Sequence, residues 1–369
     1  MRKRVDTVMK TKKISEQLRT CLSILETSPS SLRVKVWQRA NGTRPTISLN
    51  IFLAFVFSYT LTYSTISEEE RFLNIFVVGA LVLVSGCSYF WLSRRQEAKD
   101  LADDMAVVAE AIEEIATPDQ LAHMEKFSWW SNTFVNLNYF GVVVAQVVYV
   151  TFPIISGINL GTVPALPKSR TSFWTMYVLI SFCALTGPLA LASFLAYQSQ
   201  TCISLMGLFQ TMKSQIQDVN NNQHLNYLII IHQKLVNIAY NLRGICSEPI
   251  FTVIAMAIVL LIAQTCLLFT MGINPGVFFV ISIIVAIVYN LCALGEAIQQ
   301  YSVEVGGGAY SCAWYNKGRI FQKKMILIIA RCQRPCSLRA GIIGAVEKKK
   351  FTQAMKMWYR FVQALLNFS

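Results

Sequence analysis

The sequence predicts an all-α membrane protein of seven transmembrane helices, and three observations carry that expectation. Charge is scarce, seven runs have the length and apolarity a bilayer demands, and lysine and arginine are distributed unevenly between the connections. Of 369 residues, 54% are hydrophobic and 14% charged, where a soluble domain carries about a quarter. Backbone polar groups find no water in hydrocarbon, so each run is expected to be helical.

Taken in order, residues 1–46 form a basic, non-periodic segment that reads as cytosolic rather than as a secretory leader. Residues 47–299 hold six spans, near 47–67, 72–93, 133–155, 171–198, 249–272 and 276–299. The first is diluted by Ser, Thr and Asn, whereas Phe72–Leu92, Phe251–Met271 and Val277–Leu294 carry no charge. Pro188, inside the fourth run, predicts a kink. A connection follows at 300–350, and 351–369 supplies a seventh span near 351–368, weakened by Lys356 and Arg360.

Charge orients the chain. Of 33 basic side chains, 11 lie in 1–46, four in loop 94–130, three in loop 199–248 and ten in 300–350. The opposite connections hold three, Arg71, Lys168 and Arg170. The positive-inside rule therefore puts the N-terminus and the three long connections in the cytosol and the C-terminus outside. In that topology the sequon Asn41-Gly42-Thr43 is cytosolic and stays unglycosylated. The net charge of +13 then reflects anchoring beside anionic lipid, not nucleic-acid binding.

The cytosolic connections carry helical stripes. Leu101, Met105, Val108, Ile112 and Ile115 recur at spacings of four and three, opposite an acidic face containing Glu97, Asp100, Asp103, Asp104, Glu110, Glu113 and Glu114. Leu205, Leu208, Phe209, Met212 and Ile216 form a second stripe, and Asp218–Gln223 a polar break before Leu225–Leu242. Ile320, Phe321, Met325, Ile328 and Ile329 form a third, closed by Pro335. Such faces need burial, so 94–130, 199–248 and 300–350 are expected to build a packed cytosolic layer, a platform for oligomerisation. The alternative is that they lie on the membrane surface.

Chemistry is absent from the pattern. Ten scattered cysteines show no CxxC or Cys/His pairing, three histidines (His123, His224, His232) lie apart, and no phosphate loop, nucleophile elbow or paired intramembrane carboxylate occurs. Neither an enzyme nor a cofactor or metal site is expected.

The last quarter is more specific. Gly295-Glu296, Ala309-Tyr310, Cys312-Ala313-Trp314-Tyr315, Ile328-Ile329-Ala330-Arg331-Cys332-Gln333-Arg334-Pro335 and Leu338-Arg339-Ala340-Gly341 follow one another in an order and spacing that resemble the insect odorant receptor family. The resemblance implies a subunit of a four-subunit, ligand-gated, non-selective cation channel in the plasma membrane of a sensory neuron. It does not imply a G-protein-coupled receptor, whose orientation is opposite. Trp358-Tyr359 followed by Leu365-Leu366 favours the odorant over the related gustatory branch, whose pattern ends in Gln-Phe. The short connection at 199–248 resembles that of a tuning subunit, which binds odorant and assembles with co-receptor chains.

On the last helix, Met355, Tyr359, Val362, Leu365, Leu366 and Ser369 share one sector at about 100° per residue. This stripe either packs on a neighbouring helix or, as the resemblance implies for Val362, Leu365 and Leu366, forms a constriction that closes by excluding water. Lys356 and Arg360 share another face, with Arg360 about 160° from Val362, and reach either the conduction path or an adjacent subunit. The resemblance also implies a pocket for a small volatile in the outer half of spans two, three, four and six. There stand Phe72, Ile75 and Phe76; Ala145, Tyr149 and Phe152; Phe173, Tyr177 and Ile180; and Phe278, Phe279 and Ser282. Apolar walls with a few hydroxyls suit an ester, alcohol or terpenoid. A gustatory-type channel and a secondary transporter are the alternatives; a transporter would need internal repeats and polar midplane sites, and no repeat is found.

Overall fold

The computed structural model describes residues 94–156, 170–271 and 275–368, together with scattered helical positions between Ile75 and Ser93. Among the described residues, the helices of printed extent are, in chain order, α1 (Arg95–Ile115), α2 (Pro118–Ser156), α3 (Arg170–Gln217), α4 (Asn222–Met271), α5 (Pro275–Ser311), α6 (Arg319–Cys332) and α7 (Lys348–Phe368). A two-stranded hairpin, β1 (Arg339–Ala340) paired antiparallel with β2 (Gly344–Ala345), precedes α7. The expected first span, 47–67, lies outside the described residues. The third to seventh fall within α2, α3, α4, α5 and α7. Among the described residues, Asn222–Phe269 and Val277–Ser311 are long and apolar enough to cross a membrane.

Length explains the architecture. Helix α3 has 48 residues and α4 has 50, so each extends over about 70 Å. A hydrocarbon core of about 30 Å accommodates less than half of that. The remaining turns project as helical extensions, and α1 and α6 pack against them. Helix α3 continues unbroken on both sides of Pro188.

Local chemistry sets the boundaries. Thr117 and Gln120 form a reciprocal capping box: Thr117 Oγ1 accepts from the Gln120 N–H at 3.4 Å, and Gln120 Oε1 accepts from the Thr117 N–H at 3.1 Å. Pro118, in the first helical position, lacks the donor that would be orphaned there. Asn221 starts α4 by accepting the His224 N–H at 2.6 Å.

Helix α1 buries Leu101, Met105, Val108 and Ile112, four members of its predicted stripe, against α3 and α4; Ile115 is half-buried at the edge. Hydrogen bonds fix the contact: Tyr197 Oη donates to the Ala98 carbonyl at 3.3 Å and Gln215 Nε2 to that of Ile112 at 3.2 Å. All five members of the second stripe, Leu205 to Ile216, are buried. These extensions form a packed layer rather than isolated amphipathic surface helices. The third stripe needs correction. Phe321, Met325 and Ile328 are buried with Cys332, but Ile320 is 65% exposed. The spacing 321/325/328/332 keeps one helix face, and Ile320 stands about 100° off it.

Within this layer, Glu113 is pushed up to about 7, first by burial and then by the neighbouring Glu110 carboxylate. A carboxyl raised in the folded state binds its proton more tightly there than in the unfolded chain. Its contribution therefore turns unfavourable as pH rises from about 4.5 to about 7. Glu113→Gln is expected to raise the thermal midpoint at pH 8 and change it little at pH 4.5, measured by fluorescence melting of the purified chain. His232 behaves oppositely. Burial, then the Arg331 charge, lowers it to about 4, so its contribution is lost as pH falls from about 6.5 to 4.

Candidate functional site: the last helix and its mooring

Helix α7 is held from below by a turn and from the side by two helices. Gly341 (φ 44°) and Gly344 (φ 87°) occupy the left-handed region that only glycine adopts without strain, and they reverse the chain between β1 and β2. The Gly341 N–H donates to Ser247 Oγ at 3.2 Å, and the Val346 N–H to the Leu338 carbonyl at 3.0 Å. Leu338, Ala340 and Val346 are buried beneath this turn. Residues that carried the family resemblance, Leu338 to Gly341, therefore serve to aim the last helix.

Gly295-Glu296, the first pair in that resemblance, lies opposite on α5. The first N–H groups of a helix have no partner within it, and its N-terminus carries partial positive charge. Glu296 meets both needs: Oε2 accepts the Lys348 N–H at 3.0 Å, while Oε1 lies 3.6 Å from Lys348 Nζ. Gln299 Nε2 donates to Glu347 at 3.4 Å. Gly295 makes this approach possible, because a Cβ there would collide with the Val346 carbonyl oxygen.

Higher up, Phe351 packs edge-on to Tyr289 of α5, with centroids 5.3 Å apart. Trp358 Nε1 donates to Thr265 Oγ1 of α4 at 2.9 Å, and Thr265 in turn donates to the Leu261 carbonyl at 2.7 Å. Met355 packs on the same core. Helix α7 thus has a moored face centred on Phe351, Met355 and Trp358.

Around that face the predicted gate residues divide. Val362, one turn beyond Trp358, continues that face and is half-buried, as is Leu365 near its edge, whereas Leu366 is 58% exposed, next to Tyr359 at 60%. The side turned from the subunit's own helices is polar: Gln353, Lys356, Arg360, Gln363 and Asn367 are all exposed.

The predicted pocket residues are placed less fully. Phe72 and Phe76 lie outside the described residues, and Ile75 packs half-buried against the core. Ala145, Tyr149 and Phe152 sit near the C-terminal end of α2, and Phe173, Tyr177 and Ile180 near the N-terminal end of α3. Phe278, Phe279 and Ser282 occupy the start of α5 and are exposed on the single chain; Ser282 Oγ donates back to the Phe278 carbonyl at 2.8 Å. Topology brings these three groups to one end of the bundle.

Sequence reasoning did not assign roles to Thr265, Tyr289 or Glu296. A hydroxyl within the strongly apolar 251–271 run and an acid at the end of 276–299 were the available signals.

Long helices of a length that would cross and overshoot a bilayer, with a short last helix moored on two of them, define a multi-pass membrane fold. It superposes on the insect olfactory receptor OR5 of Machilis hrabei, both in complex with eugenol (TM-score 0.75, 13% identity) and in a second structure (TM-score 0.77, 12% identity). Each comparison covers 99% of both chains, so the architecture is the seven-transmembrane-helix, all-α one predicted. Among Drosophila melanogaster proteins, Odorant receptor 85c is 24% identical over 210 residues, covering 52% of this chain and 53% of that one. Odorant receptor 67a is 29% identical over 101 residues, 26% of this chain and 25% of the relative. The chain thus matches about half the length of the first relative and a quarter of the second. The 7tm Odorant receptor family model matches residues 69–359, and the chain belongs to that family, one of receptors rather than enzymes.

Proposed function

We propose that the chain is the odorant-binding subunit of a ligand-gated, non-selective cation channel, assembled as a hetero-tetramer with co-receptor subunits. The observation that carries this reading is the two-sidedness of α7. One side is moored on α4 and α5 through Trp358 and Phe351, and the other presents Lys356, Arg360, Gln363 and Asn367. Such a side is unstable against lipid tails. It is tolerated where subunits meet around water or against one another. Leu366 and Tyr359 lie at the margin of the moored face, and the half-buried Val362 and Leu365 on its continuation beyond Trp358, where assembled subunits would bring them together as a hydrophobic ring.

In this reading the N-terminus is cytosolic, the C-terminus extracellular, and the chain resides in the plasma membrane. Odorant enters among Phe72, Ile75, Phe76, Ala145, Tyr149, Phe152, Phe173, Tyr177, Ile180, Phe278, Phe279 and Ser282. Its binding shifts α5, on which α7 is moored, and the ring widens. No G protein takes part. Whole-cell recording with a panel of volatile esters, alcohols and terpenoids tests the reading. Cells expressing the chain with a co-receptor should give odorant-evoked cation currents, and cells expressing it alone little or none. Robust currents from the chain alone would refute the tuning-subunit role.

A further inference from the structure

Between α6 and the hairpin that aims α7, one hydroxyl stands between two guanidinium groups. Pro335 cannot continue α6, and the chain leaves the helix there. From Pro335 to Ala340 burial then alternates with the two-residue period of an extended chain. Cys336, Leu338 and Ala340 are buried, whereas Pro335 and Arg339 are exposed and Ser337 is half-buried between them. Ser337 and Arg339 therefore share the outward side, and Arg334 is exposed as well. We propose that Ser337 is a phosphorylation site, the acceptor for a serine/threonine kinase that selects arginine on both sides of its target.

Three features specify that chemistry. Arg334 stands three residues before Ser337 and Arg339 two residues after it, where carboxylate-lined subsites of a kinase can grip each guanidinium in bidentate pairs. Among the described residues, neither guanidinium has a hydrogen bond or ion pair, and the Ser337 hydroxyl has no hydrogen-bond partner, so no contact must break before the groups engage. No Asp or Glu occurs between Glu304 and Glu347, so this stretch of chain carries no carboxylate to repel a phosphate. In the transfer, Ser337 Oγ attacks the γ-phosphorus of magnesium-bound ATP. The new Oγ–P bond replaces the bond to the bridging oxygen of ADP, the hydroxyl proton passes to the kinase's carboxylate base, and ADP leaves.

Position gives the phosphate something to act on. The Cys336 N–H donates to Ser302 Oγ of α5 at 3.0 Å, and the Leu338 carbonyl accepts the Val346 N–H at 3.0 Å. Ser337 lies between these two bonds, both of which fix the approach to α7. A phosphate there, paired with Arg339 on the same side, adds charge-assisted hydrogen bonds to the base of the mooring and stiffens it.

The proposal rests on the cytosolic placement of 300–350, and the test separates the two. Membranes carrying the full chain are incubated with magnesium-ATP and the active catalytic domain of an arginine-directed kinase, as inside-out vesicles and as intact cells. Mass spectrometry reads the tryptic peptide 332–339, in which Ser337 is the single hydroxyl residue. Inside-out vesicles should gain the phosphate and intact cells should not. Ser337→Ala should abolish it, and Arg334→Gln or Arg339→Gln should each slow its appearance several-fold while the melting profile of the unmodified chain stays near wild type. The phosphorylated wild type should melt at a higher temperature than the unmodified chain. Absence of phosphate from both preparations, or equal rates in the two glutamine variants and wild type, would overturn the site. Phosphate acquired from the outer face alone would overturn the cytosolic placement instead, and an unchanged melting midpoint would overturn the link to the mooring.

Discussion

Gly295→Ala is expected to remove most of the protein from the cell surface, a large effect for one added methyl group. The new Cβ meets the Val346 carbonyl oxygen, a backbone atom fixed by the turn at Gly341 and Gly344, so no side chain can rotate away. Helix α5 must then separate from the segment leading into α7, which breaks the Glu296 contact with the Lys348 N–H. Overpacking of this kind costs about 1–3 kcal/mol or more, a large part of a typical stability margin. Gly307 is the matched control. It lies in the same helix, and a Cβ there meets nothing within 4 Å. Replacing a helix-interior glycine with alanine gains about 1 kcal/mol, so Gly307→Ala should express normally or better. Surface biotinylation compares the two; equal expression would remove the steric basis of the mooring.

Leu366→Ser should raise current through the assembled channel in the absence of odorant. A ring that closes by excluding water is kept dry by apolar surface alone, and a hydroxyl at the most exposed of the three gate residues makes wetting easier. Val362→Ser should act in the same direction but less, because Val362 is half-buried on the continuation of the moored face. Since only some subunits carry the substitution, the rise should be partial. Arg360→Ala should leave ion selectivity unchanged and lower assembly. Normal resting current in Leu366→Ser together with altered selectivity in Arg360→Ala would place the charged side of α7, not the apolar margin, on the ion path.

The sequence was most informative where structure is local. Leu101 to Ile112 and Leu205 to Ile216 could be read as buried faces because one helical period decides which side of a long extension meets its neighbours. Ile320 misled because, beside Phe321 in a short helix, two adjacent apolar residues cannot both occupy a narrow stripe. The mooring was not legible for a different reason. Glu296 and Lys348 are 52 residues apart, and Trp358 and Thr265 are 93 apart, so their pairing depends on tertiary placement that no spacing rule encodes. The proposed odorant pocket was the least legible element. Aromatic and aliphatic residues are expected at the outer ends of all such helices, so Tyr149 or Phe173 carries no mark that separates a ligand wall from packing.

Cysteine accessibility along α7 measures directly whether this helix lines an odorant-opened pore. Single cysteines at positions 355, 358, 362, 363 and 366, co-expressed with a co-receptor, would be exposed to a water-soluble thiol reagent with and without odorant. A pore lined by α7 predicts that modification at 362 and 366 alters current, faster when odorant is present, while 355 and 358, packed on the subunit's own core one to two turns earlier in the helix, stay protected. Uniform protection of 362 and 366 in both conditions, with odorant-evoked currents intact, would contradict it.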